Sequence, residues 1–65
     1  MRTHYYVVYN DNTATIVAAI NKERLRCLGF CTKSNSVERF ETIEEARAFC
    51  EETLFFEKNE IKFCS

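Results

Sequence analysis

The side chains able to do chemistry are few and scattered. Cysteines stand at Cys27, Cys31, Cys50 and Cys64, with one histidine, His4, and one aspartate, Asp11. A structural zinc site takes close thiolate pairs, most often C-x-x-C, so that a tetrahedron of ligands can close around the ion. Here the first pair is Cys27-x-x-x-Cys31, while Cys50 and Cys64 stand singly. Buried or idle thiols are expected, since free cysteine behaves as a small hydrophobe. A cysteine nucleophile needs an apposed base and an orienting group, and no local pattern sets His4 against a thiol. The other carboxylates are glutamates that read as solvated charges. A single glycine, Gly29, leaves no glycine-rich loop to cradle a phosphate. The expectation is a chain with no catalytic residue, no metal and no cofactor, and not an enzyme.

The cations are more suggestive. Lys22, Arg24, Arg26 and Lys33 cluster in one stretch and could touch phosphates, with Tyr5 or Phe30 stacking on bases. Residues 2–33 hold five basic side chains against Asp11 and Glu23. Residues 34–65 hold Arg39, Arg47, Lys58 and Lys62 against eight glutamates. The molecule is therefore dipolar, which can orient a partner. The acidic second half would repel a nucleic-acid backbone, so nucleic acid ranks below protein as the expected partner.

Size narrows the choice further. At 65 residues with net charge −1, the chain makes one small domain. Six Phe and three Tyr supply most of its bulk for a core. Little remains to wall a deep substrate pocket. The start, Met1-Arg2-Thr3-His4, has no signal-peptide apolar region, and no apolar run approaches the roughly 20 residues of a membrane span. A cytoplasmic protein with reduced thiols and no membrane contact is expected. In a secreted protein the same cysteines would allow two disulfides, in three pairings.

The elements that must position these residues begin with His4-Tyr5-Tyr6-Val7-Val8-Tyr9, dense in β-branched and aromatic residues and apolar on both faces, as in a central strand. Asn10-Asp11-Asn12 is a turn. Residues 13–20 read in two ways. One is the return strand of a hairpin, which is favoured. The other is a helix running to Leu28, with Gly29 in the left-handed position that ends it. Residues 24–32 alternate at their start, Leu25 and Cys27 against Arg24 and Arg26, and read as a third strand, with residues 37–41 a fourth. Thr42-Ile43-Glu44-Glu45 is a capping box. It opens a helix that runs to about residues 54–56, with Ile43, Ala46, Phe49, Cys50, Thr53 and Leu54 on one face and Phe55 pointing away from it unless the helix has already ended. Residues 60–64 alternate as a last strand, Ile61 and Phe63 inward. The fold class is α+β: a small antiparallel sheet of four to five strands with one amphipathic helix on one face, in the order β-β-β-β-α-β.

One helix covers one face of such a sheet. The other face is expected to be wet or bound, with Tyr5, Val7 and Tyr9 on it. Tyrosine is enriched at interface cores, so these three and Phe55 are the candidate partner-binding residues. The expected function is a small protein–protein interaction module. It would be an inhibitor or adaptor of the kind phages and mobile elements encode, acting by surface occlusion, with Glu44, Glu51 and Glu52 standing in for phosphates. A homodimer through the same face, edge pairing by an unpaired strand, or another segment of the chain folded over it would also cover it.

The chain also resembles the small hybrid-binding domain at the N-terminus of eukaryotic-type ribonuclease H and in caulimovirus viroplasmin. The matching residues are Tyr6-Val7-Val8, Gly29-Phe30 and Phe40-x-Thr42-x-x-Glu45-Ala46-x-x-Phe49, spanning residues 6–49. The resemblance implies that family's fold, and RNA/DNA-hybrid binding as the alternative function. It favours the helical reading of residues 13–28. The chain departs from the family at three places: Asn10-Asp11-Asn12 in place of a glycine-rich turn, Ile20 in place of a tryptophan, and Val37-Glu38-Arg39 in place of a basic run.

Overall fold

The first two strands, β1 (His4–Tyr9) and β2 (Ala14–Ala19), form an antiparallel hairpin in a computed structural model that describes residues 2–64. The favoured reading of residues 13–20 therefore holds. Asn10 makes the turn. Its Oδ1 accepts from the Asn12 amide (2.7 Å) and the Thr13 amide (2.9 Å), the local side-chain bonding for which asparagine is common in turns.

Next comes a short helix, α1 (Glu23–Cys27), where a third strand was expected. Four alternating residues are too few to separate a period of 2 from a period of 3.6, and the local chemistry decides for a helix. Asn21 Oδ1 accepts from the Arg24 amide (2.9 Å) at the start. At the end Gly29 takes φ 95°, its amide donates to the Arg26 carbonyl (3.1 Å), and the Phe30 amide donates to the Leu25 carbonyl (2.9 Å). This pair of bonds is a Schellman motif, and Phe30 packs into the cluster that holds Leu25, as the motif's usual apolar contact does. The left-handed glycine foreseen in the helical alternative is present, on a helix that starts only after β2 has ended.

β3 (Ser36–Phe40) pairs antiparallel with β1 on its other side. α2 (Ile43–Ala48) then opens on the expected capping box. The Glu45 amide donates to Thr42 Oγ1 (3.2 Å), and the Thr42 amide donates back to Glu45 Oε1 (3.2 Å). The helix runs on as a π-helical turn, Phe49–Thr53. A 3₁₀ turn, Lys58–Glu60, leads into β4 (Ile61–Cys64). β4 pairs with β2 and parallel to it, so the sheet is mixed rather than antiparallel, in the order β3-β1-β2-β4. β3 and β4 run the same way on opposite edges, and a connection between such strands must cross the sheet. α2 makes that crossing.

The sheet has a helix on each face, because residues 23–27 supply the second one. Val7, Ala14, Ile16 and Ile61 pack with Ala46 of α2 and Cys50 of the π-helical turn. Tyr6, Val8, Val17 and Ala19 pack with Leu25 of α1. This corrects the expected placement of Tyr5, Val7 and Tyr9. Those alternate residues face α2, not an open surface: Val7 is fully buried, and Tyr5 and Tyr9 are half-buried against the same cluster. The α+β class and the helix packed on one sheet face are as expected.

Candidate docking surface

With both faces covered, the apolar surface that remains lies at the edges. β4 has a partner on one side only. Its Phe63 shares a face with Ile61, opposite Ile16 of β2, yet it is 55% exposed while Ile61 is buried. Alternation sets which face Phe63 points to, but α2 does not cover that end of the face. Beside Phe63 is an apolar cleft of about 170 Å³, walled by Tyr5, Ile43 and Phe63, with Ile16, Ala18 and Cys64 also lining it. An enclosed apolar cavity of about 150 Å³ is enough for a benzene ring, so this cleft suits one large apolar side chain.

A second exposed aromatic lies where the helix that begins with α2 ends. The π-helical turn inserts an extra residue, so the Leu54 amide donates to the Phe49 carbonyl (3.1 Å) and the Phe56 amide to the Cys50 carbonyl (2.9 Å). Phe55, between them, is held at φ 61° and is 82% exposed. A bulky residue in the left-handed region is rare and strained. Phe55 therefore points away from the core, as expected, and Leu54 and Phe56 pack inward on either side of it.

Of the four expected partner-binding residues, Phe55 alone is fully open. Tyr5 contributes a wall of the cleft, Tyr9 stacks edge-on against Phe49 (centroids 5.5 Å apart), and Val7 belongs to the core. Phe63 and Ile43 escaped the sequence reading because alternation and helical spacing assign both to the interior. Ile20 and Leu28, on either side of α1, are also partly exposed apolar residues.

The cations fall on the α1 side. Lys22, Arg24 and Arg26 are exposed on or beside α1, and Lys33 is exposed in the loop that follows. Register puts Arg39 of β3 opposite Tyr6, and Lys62 of β4 opposite Thr15, on that same side of the sheet. The α2 side carries Glu44, Glu45, Glu51 and Glu52, with Glu38 opposite Val7, against Arg47 and Lys58. The charge imbalance along the chain thus becomes an imbalance across the sheet. Among the described residues the ion pair is Arg2 to Glu41 (3.2 Å), and His4 Nδ1 hydrogen-bonds to the other Glu41 oxygen (2.8 Å), so His4 is engaged by a carboxylate and not by a thiol.

The cysteines do not converge. Cys27 and Cys31 are exposed, Cys50 of the π-helical turn is buried and Cys64 is half-buried. No group of three metal-ligating side chains forms among the described residues. The Ser34 hydroxyl, with the amides of Ser34 and Lys33, holds the Cys31 thiol below its ordinary pKa, while burial and then Glu51 push Cys50 up. No helix of the described residues is long and apolar enough to cross a membrane.

Compared with known proteins, the chain matches no family model, no curated protein and no solved structure. The geometry of its surface is what carries a functional reading.

Proposed function

We propose that this chain is a non-enzymatic protein-binding module of the cytoplasm that docks a protein partner at the cleft beside Phe63, with Phe55 as a second anchor. As an inhibitor or adaptor it would act by covering a surface of that partner. One observation carries the reading: a cleft of about 170 Å³ lined by apolar side chains opens beside a large aromatic left 55% exposed on an edge strand. Of the six Phe, Phe30, Phe40, Phe49 and Phe56 pack against the core clusters, and only Phe55 and Phe63 are left exposed. Interface hot spots are aromatic anchors seated in apolar pockets, and here both kinds of feature stand on one surface. The test is capture by immobilised wild type, Phe63→Ser and Phe55→Ser, followed by titration of the purified captured protein. The reading predicts at least a tenfold loss of affinity for Phe63→Ser and protection of the Ile61–Cys64 amides from exchange in the complex. Equal affinity for wild type and Phe63→Ser would refute it.

A second reading is a nucleic-acid binder of the hybrid-binding kind. It is supported by the exposed Lys22, Arg24, Arg26 and Lys33, none of which is in an ion pair among the described residues, and by the resemblance over residues 6–49. Ile20 in place of the family's tryptophan counts against base or sugar stacking. Titration with RNA, DNA and hybrid duplexes at rising salt separates the readings. A backbone binder loses affinity with a logarithmic slope of about −0.9 per phosphate neutralised, whereas the cleft reading predicts no salt-dependent duplex binding.

A further inference from the structure

We infer that the cleft side of one copy of this chain receives the α1 side of a second copy, so that the protein self-associates head to tail. The inference rests on the cleft being a docking surface and names its occupant. Charge complementarity selects that occupant. The α2 side presents Glu38, Glu44, Glu45, Glu51 and Glu52 against Arg47 and Lys58; the α1 side presents Lys22, Arg24, Arg26, Arg39 and Lys62 against Glu23 and Glu41, the latter paired with Arg2. A partner for the first side should be cationic and should carry an exposed aliphatic group for the cleft. The α1 segment has both properties. Ile20 is 39% exposed and Leu28 38% exposed, and between them lie Lys22, Arg24 and Arg26.

The two surfaces lie on opposite faces of one sheet, so the contact is heterologous. It uses different patches on the two copies, and each copy keeps one patch free for the next. A two-fold dimer through either face would bring like charges together, which disfavours it. Long-range attraction between exposed charges is screened as the Debye length falls from about 10 Å at 0.1 M salt to about 3 Å at 1 M, so the assembly must be salt-sensitive.

The experiment is sedimentation velocity of the full chain across protein concentrations at low and high salt. Three proteins are compared: wild type, a double variant of the α1 side (Arg24→Glu with Arg26→Glu), and a double variant of the cleft side (Phe63→Ser with Glu44→Lys, Glu44 being next to the cleft-wall residue Ile43). Wild type is expected to form species larger than a dimer at low salt, with apparent affinity at least tenfold weaker at high salt. Each double variant alone is expected to be monomeric. Mixed in equal amounts they are expected to form a dimer and nothing larger, because the mixture retains one intact patch of each kind. Wild type that stays monomeric at low salt overturns the inference, whether or not the variants fold. Assembly that is unchanged in either folded variant, or a variant mixture that gives no dimer, also overturns it. Monomeric wild type that still shows Phe63-dependent capture of a different protein overturns the self-association and leaves the docking surface standing.

Discussion

Replacing Phe55 with glycine and with alanine should reverse the order that those two residues show inside a helix. Phe55 sits at φ 61°, where a side chain of the L series costs about 1–2 kcal/mol. Glycine escapes that cost but brings about 0.5–1 kcal/mol of extra freedom in the unfolded chain. Glycine at 55 should therefore be more stable than alanine at 55 by roughly 0.5–1 kcal/mol, taking the difference of those two terms. Within a helix interior the order is the opposite, alanine leading by about 1 kcal/mol. Since Phe55 is 82% exposed, removing the ring forfeits little burial. Phe55→Ala should thus lie within about 0.5 kcal/mol of wild type, a small fraction of the roughly 1.5–3 kcal/mol for a fully buried ring. Thermal unfolding resolves this, because 1 kcal/mol moves the midpoint of a domain this small by about 4–8 °C. A more stable alanine variant would mean that residue 55 does not occupy the left-handed region. Both variants should bind a partner more weakly than wild type if Phe55 is an anchor. Strain kept at an exposed aromatic would then serve binding rather than folding.

Gly29 also has positive φ, but open space surrounds the place where a Cβ would go. Gly29→Ala should destabilise by about 1 kcal/mol through the backbone alone, measured by urea unfolding. Leu25 and Cys27 separate the helical from the extended geometry of α1. Leu25→Ala should cost about 2–5 kcal/mol and Cys27→Ser less than about 0.5, since Leu25 is fully buried and Cys27 exposed; a strand would put both on one face and make both costly. With its pKa lowered by Ser34 and by the Lys33 and Ser34 amides, Cys31 carries more thiolate at neutral pH than an ordinary exposed thiol. It should alkylate faster in wild type than with the Ser34 hydroxyl removed by Ser34→Ala, at pH about 7, because thiolate gain outweighs the loss of intrinsic nucleophilicity. Peptide mapping after iodoacetamide reads both rates.

What the sequence disclosed follows from how many residues each signal spans. The six-residue His4–Tyr9 run, the Asn10 turn and the Thr42–Glu45 capping box are dense local chemistry, and each appears where it was expected. Residues 24–27 were misread because Leu25 and Cys27 alternate with arginines over one helical turn's length, and Gly29 suits a bulge as well as a Schellman end. Two things separate the expected docking face from the structure: α2 lies on the Tyr5, Val7 and Tyr9 side of β1, which alternation alone does not decide, and α1 covers the other side. Once α1 covers Tyr6 and Val8, and α2 covers Val7, no sheet face is left open. The parallel entry of β4 is set by where α2 crosses, which no local pattern encodes. Phe63 illustrates the same limit: alternation gives its direction, and only the tertiary path of α2 shows that nothing covers it. Phe55 is outside as helical spacing suggests, but for a different reason: the helix has ended at Thr53, and the left-handed backbone at Phe55 is what turns the ring outward.

The central claim is that the Phe63 cleft binds protein, and titration of a captured, purified partner against wild type and Phe63→Ser tests it most directly. Circular dichroism and thermal unfolding first establish that the variant keeps its fold, as expected for a side chain 55% exposed on an edge strand. A folded Phe63→Ser protein that binds at least tenfold more weakly is the predicted result. A folded Phe63→Ser protein that binds as tightly as wild type would contradict the claim.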